Sequence, residues 1–75
     1  MRYYFFSIKG NVIDKVLDKA AGHAAGYKHY ENDSGTEEIF YSTFNGKIVD
    51  IICEAIDLNS ATKAVEQFLS VWSKS

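Results

Sequence analysis

The sequence predicts an α+β domain, a two-layer β-α-β-β-β-α arrangement whose mainly antiparallel sheet carries two helices on one face. Three observations carry the prediction. Asn45-Gly46 separates two β-rich runs, Thr36–Phe44 and Lys47–Ile56, and both residues accept the positive φ angles of a type I′ hairpin turn. Val12 to Ala25 repeats apolar residues with helical spacing, and so does Ala61 to Trp72. A chain of 75 residues has room for one domain, 1–75. At that size folding buries only about 60% of the surface the unfolded chain exposes, so the core is marginal without help.

Arg2–Lys9 is the first predicted strand, rich in β-formers. Tyr4, Phe6 and Ile8 share one side while Tyr3 and Phe5 share the other, so the strand is apolar on both faces. Gly10-Asn11 ends it, with Asn11 placed to cap a helix over Val12–Ala25. Ile13, Leu17, Ala20 and Ala24 would form the buried stripe of that helix, with Val16 and Ala21 beside it and Gly26 stopping it. Tyr27–Glu31 reads as a short strand, and Asn32-Asp33-Ser34-Gly35 as a turn.

The hairpin follows. A two-residue turn at Asn45-Gly46 pairs Phe44 with Lys47, Thr43 with Ile48, Ser42 with Val49 and Tyr41 with Asp50. Continued outward, that register sets Glu37 against Glu54. It puts Phe40, Phe44, Val49, Ile51, Cys53 and Ala55 on the core face. The opposite face then carries Ile39, Tyr41, Thr43, Ile48, Asp50, Ile52 and Ile56, rimmed by Glu37 and Glu54. A strand read one residue out would swap the two sets, and an apolar strip would remain either way. The last helix opens at Asp57-Leu58-Asn59-Ser60, with Asn59 or Ser60 as cap, and buries Ala61, Val65, Phe68, Leu69 and Trp72.

Composition narrows the function. One cysteine, Cys53, excludes an internal disulfide, and no Cys/His cluster has the spacing of a zinc site. Association with another molecule is then the remaining aid to a small core. A lone thiol in a strand suits a reducing compartment, and a cytoplasmic protein is expected. Met1–Gly10 is too short and too polar for a signal peptide or a membrane span. The net charge of −2 is unevenly placed: residues 31–57 hold Glu31, Asp33, Glu37, Glu38, Asp50, Glu54 and Asp57 against Lys47 alone. Such a stretch repels phosphate and attracts a basic partner, although surface charge more often serves solubility.

The alternation of elements over 11–73, with Asn45-Gly46 between the last two strands and Ser60 followed by Ala64 at the last helix, resembles double-stranded-RNA-binding-like αβββα domains. That resemblance implies a nucleic-acid module gripping phosphates with lysines at the helix start. Here the helix begins Ser60-Ala61-Thr62-Lys63-Ala64-Val65-Glu66, one lysine with one glutamate, so the chain is expected to bind RNA poorly. A nucleic-acid role would need Lys15, Lys19, Lys28 and Lys63 gathered on one face.

No catalytic or ligand motif is present, and no enzyme activity, cofactor or metal is expected. His23 and His29 are the only histidines, and neither has a nucleophile at a telling spacing; a small toxin-like RNase using one of them is the lowest-ranked alternative. Cys53 has no cationic neighbour to activate it, and facing glutamates alone are a weak cation site. The expected function is protein–protein contact through Ile39, Tyr41, Ile48 and Ile52, edged by Glu37, Asp50 and Glu54, with Tyr3 alongside. The same strip suits a homodimer. In size and acidity the chain also resembles the small inhibitors that phages and mobile elements direct at host defence proteins. That resemblance implies a basic or nucleic-acid-handling protein partner.

Overall fold

The computed structural model describes residues 1–19, 25–31 and 35–74. Strands β1 (Arg2–Lys9), β2 (Val12–Lys19), β3 (Lys28–Glu31), β4 (Glu38–Phe44) and β5 (Lys47–Ala55) precede one helix, α1 (Leu58–Lys74). The strands form a single sheet in the order β2-β1-β5-β4-β3, every neighbouring pair antiparallel. The α+β class and antiparallel sheet agree with the sequence reading. The helix count does not: one helix is present among the described residues, and it covers one face of five strands.

Val12–Lys19 is a strand where a helix was expected. Gly10-Asn11 is a two-residue hairpin turn rather than a helix cap, with Lys9 paired to Val12. Gly10 has φ 68° while Asn11 stays at negative φ, the pattern of a type II′ turn. The register shifts between Ser7 and Ile8, so that Ser7 faces Lys15, Ile8 faces Ile13, and Asp14 is the extra residue. That bulge puts Ile13 and Val16 on the same face, three residues apart, which imitates helical spacing in a strand. The second half of the expected helix, from Ala20 to Ala24, lies outside the described residues. The element order over the rest of 11–73 has a strand where the αβββα outline has its first helix.

Asn45 (φ 54°) and Gly46 (φ 77°) adopt the positive φ angles of the expected turn, and Phe44↔Lys47 and Thr43↔Ile48 pair as predicted. The expected register then fails. Ser42 faces Asp50, not Val49, so Val49 is a bulge and each later pair is shifted by one: Tyr41↔Ile51, Phe40↔Ile52, Ile39↔Cys53, Glu38↔Glu54. Because side chains alternate along a strand, this one residue exchanges the two faces of β4. Phe40 leaves the expected core face and Ile39 and Tyr41 enter it.

The core lies between the sheet and α1. Tyr4, Phe6, Ile8, Ile39, Ile48, Ile51, Cys53 and Ala55 meet Ala61, Ala64, Val65, Phe68 and Leu69, with Ile13, Tyr30, Tyr41 and Trp72 packed at its margin. The stripe expected of the last helix is therefore the one it buries. At the β3–β4 end the packing is aromatic: the Phe68 ring stands 4.8 Å from Tyr30 and 5.1 Å from Tyr41, and Tyr41 meets Trp72 edge-on at 5.5 Å. Asp57 caps the helix, in place of Asn59 or Ser60. Its Oδ1 accepts from the Ser60 N–H at 2.8 Å, and its carbonyl from the Ala61 N–H at 3.1 Å. Leu58 is consequently the first helical residue, half-exposed.

Candidate functional site

The face of the sheet turned away from α1 is built by alternation. In β1, Tyr4, Phe6 and Ile8 go to the core, so Tyr3, Phe5 and Ser7 point the other way, as the sequence suggested. The pairing lines up three rows across the strands. The middle one runs Leu17, Phe5, Ile52, Phe40, His29 from β2 to β3, four apolar residues followed by an imidazole. His29 stacks on Phe40, ring centroids 4.8 Å apart and planes inclined 24°. Ile52, on the face away from α1 and outside the core cluster, is only 4% exposed, and Phe5 and Phe40 beside it are half-buried. Leu17, at the outer strand, is 39% exposed.

The flanking rows are polar and unlike each other. On one side Tyr3, Glu54, Glu38 and Glu31 follow one another across β1, β5, β4 and β3. Like charges placed directly opposite repel. The Tyr3 hydroxyl hydrogen-bonds to Glu54, and that bond, with the charges of Glu54 and Glu38, raises the phenol above its ordinary pKa. On the other side Lys15, Ser7, Asp50 and Ser42 align, and the Ser42 hydroxyl donates to Asp50 at 3.5 Å. Tyr27 borders this row; its phenol is raised by burial and by the charge of Asp50, against a hydrogen bond to Ser42 that lowers it.

The residues expected to form a binding face divide between the two sides of the sheet. Ile39 is 0% exposed and Ile48 3%, both inside the core, and Tyr41 packs against Phe68 and Trp72. None of the three is available on an open surface, because the Val49 bulge sets their side of the hairpin under α1. Asp50, Ile52 and Glu54 do lie on the face away from α1, with Ile52 buried there. Glu37 precedes β4, where its charge bears on Cys53 of the covered side. Phe5, Leu17, Phe40, Glu38 and Glu31 share the face away from α1, Leu17 and Glu31 exposed and the other three half-buried. Phe40 and Glu38 were missed through the register, and Leu17 through the helix assigned to its segment.

Burial, then the charges of Glu37 and Glu54, push the Cys53 thiol up to about 12, the opposite of an activated nucleophile. His29 is exposed beside Phe40, and His23 lies outside the described residues. Among the described residues no group of three or more His, Cys, Asp or Glu side chains is placed to hold a metal ion. A shallow groove of about 500 Å³ between α1 and the β1–β2 turn is lined, among the described residues, by Asn11, Val12, Ile13, Glu66, Leu69, Ser70 and Ser73. Of the four lysines that a nucleic-acid role would gather, Lys15 and Lys19 both lie in β2, paired with Ser7 and Tyr3, and the other two lie elsewhere. Lys15 belongs to the face of β2 away from α1, Lys28 pairs with Tyr41 at the far edge, and Lys63 is exposed on the helix.

No protein-family model, curated protein or solved structure matches this chain. No helix among the described residues is long and apolar enough to cross a membrane.

Proposed function

We propose that the chain is a non-enzymatic protein–protein interaction domain that binds through the side of its sheet turned away from α1. One observation carries this reading: the cross-strand row Leu17–Phe5–Ile52–Phe40 lies on the side away from α1, beside the carboxylates of Glu54, Glu38 and Glu31. An apolar centre with a charged rim is how interfaces are composed. The acidic rim selects a basic partner and speeds its encounter. Proteins that handle nucleic acids carry such basic surfaces, which supports the finer reading of an inhibitor directed at one of them. The single buried thiol of Cys53 suits a reducing compartment for that work.

A second copy of the chain fits the face less well. Two copies stacked face to face about an axis along β5 would set Glu54 against Glu54 and Asp50 against Asp50, and like charges oppose that arrangement. The test is capture from a lysate of the source cells with the parent protein and with Phe40→Lys, each verified as folded by circular dichroism. A partner held by the parent and released by Phe40→Lys supports the reading. A partner retained equally by both moves the interface elsewhere.

A further inference from the structure

We propose that Asn45 is a site of self-modification, where the chain converts its own asparagine to aspartate and isoaspartate and so unfastens the β4–β5 turn. Asn45-Gly46 is the only asparagine–glycine pair in the sequence. Both residues are exposed, as are Phe44 and Lys47 on either side. Gly46 has no side chain to crowd its main-chain nitrogen, and a Cβ built on it would meet nothing within 4 Å. In a two-residue turn the outer residues, here Phe44 and Lys47, bond to each other, which leaves the Gly46 N–H facing solvent.

The chemistry needs only water and hydroxide. The Gly46 nitrogen loses its proton and attacks Cγ of Asn45. The new N–Cγ bond forms, the bond from Cγ to the side-chain amide nitrogen breaks, and ammonia leaves. Water then opens the resulting five-membered imide at either carbonyl. Cleavage at Cγ gives aspartate with the main chain intact. Cleavage at the main-chain carbonyl carbon gives isoaspartate, whose main chain runs through Cβ. In sum, an amide and water become a carboxylate and ammonium, with no oxidant or reductant.

The turn sets the pace. Asn45 rests in the left-handed region at φ 54° and must rotate out of it before the Gly46 nitrogen can reach Cγ. An exposed hairpin tip makes such an opening at low free energy. The other described asparagines are shielded. Asn59 precedes Ser60 within α1, and the Ser60 N–H is engaged, donating to Asp57 Oδ1 at 2.8 Å. Asn11 precedes Val12, whose branched side chain crowds the nitrogen and which pairs with Lys9. Asn32 lies outside the described residues.

The two products differ in effect. Aspartate keeps the turn, because Asp-Gly suits type I′ as Asn-Gly does. Isoaspartate inserts an extra main-chain atom between Phe44 and Lys47, so the two-residue turn no longer closes that pair. The next pair is Thr43↔Ile48, and Ile48 belongs to the core at 3% exposure.

The test ages the intact chain in mildly alkaline buffer made with heavy-oxygen water. Peptide mapping by mass spectrometry with electron-transfer fragmentation then tells isoaspartate from aspartate. Among the peptides holding Asn11, Asn45 and Asn59, the Asn45 peptide alone should gain a carboxylate carrying solvent oxygen, more slowly than in denaturant. The isoaspartyl form, purified by chromatography, should melt at least about 4 °C below the fresh parent. Asn45→Gly removes the reacting amide and keeps a pair suited to the same turn, so it should age without conversion there. Four results overturn the proposal. They are an unconverted Asn45 in the folded chain, conversion of Asn11 or Asn59 at the same rate, aspartate as the sole product, or an isoaspartyl form that melts with the parent.

Discussion

Glu38 of β4 and Glu54 of β5 stand directly opposite each other, two carboxylates paired across the strands on the face away from α1. Opposed like charges in a sheet cost on the order of 0.5 kcal/mol. Glu38→Lys replaces that repulsion with an attraction. Its melting temperature at low salt is expected to rise by roughly 2–4 °C, an advantage that shrinks as salt is added. A lower melting temperature at every ionic strength would show that the pair is not repulsive.

Cys53 should be a silent thiol. It is fully buried and its pKa is pushed up to about 12 by burial and then by the charges of Glu37 and Glu54. A disulfide reagent at pH 8 should label the native protein far more slowly than protein in denaturant. The folded pKa lies above that of an unfolded thiol, about 8.5, so the associated stability is complete below that pH and is lost as pH climbs toward 12. Cys53→Ala should flatten the alkaline limb of the stability curve; an unchanged limb would place its origin in other groups.

Asp57 holds the start of α1, and its carboxyl lies below the usual range because the Ser60 backbone N–H donates to it. Asp57→Ala should lower the melting temperature by about 4–8 °C at neutral pH, while Asp57→Asn, also a good cap, should cost much less. The depressed pKa means that this stability is present above about pH 4 and disappears as pH falls through the folded value. Asp57→Asn should therefore weaken the acid dependence of melting without abolishing the cap. Equal losses in both variants would contradict a capping role.

Phe68 joins the aromatic end of the core to the sheet through Tyr30, Tyr41 and Trp72. Phe68→Ala should cost about 3–5 kcal/mol, enough to unfold a domain of this size near room temperature. Phe44, beside the Asn45-Gly46 turn and largely exposed, is the control: Phe44→Ala should change stability by about 0.5 kcal/mol or less. Urea titrations of the two variants decide the matter.

What was legible in the sequence was local. Asn45-Gly46 announces its turn because those side chains suit positive φ, and the stripe from Ala61 to Trp72 announces its helix because no bulge interrupts it. The alternation of Arg2–Lys9 was read correctly for the same reason. The errors trace to two extra residues, Asp14 and Val49, whose only mark is a change of parity in the pairing with another strand. Asp14 makes a strand count like a helix. Val49 turns Ile39, Tyr41 and Ile48 inward and Phe40 outward, which moves three of the seven expected binding residues to the covered side. Asp50, Ile52 and Glu54 kept their places because the bulge reassigned their partners without reversing their own side of β5.

Val49 also determines which kinds of genetic change this protein can absorb. Replacing a residue between Asp50 and Ala55 alters one side chain in its layer. Gaining or losing a single codon there would evert the rest of the strand, sending Cys53 and Ala55 into solvent and Glu54 beneath the helix. Variation along β5 should therefore accumulate as replacements, with length changes confined to the loops at either end.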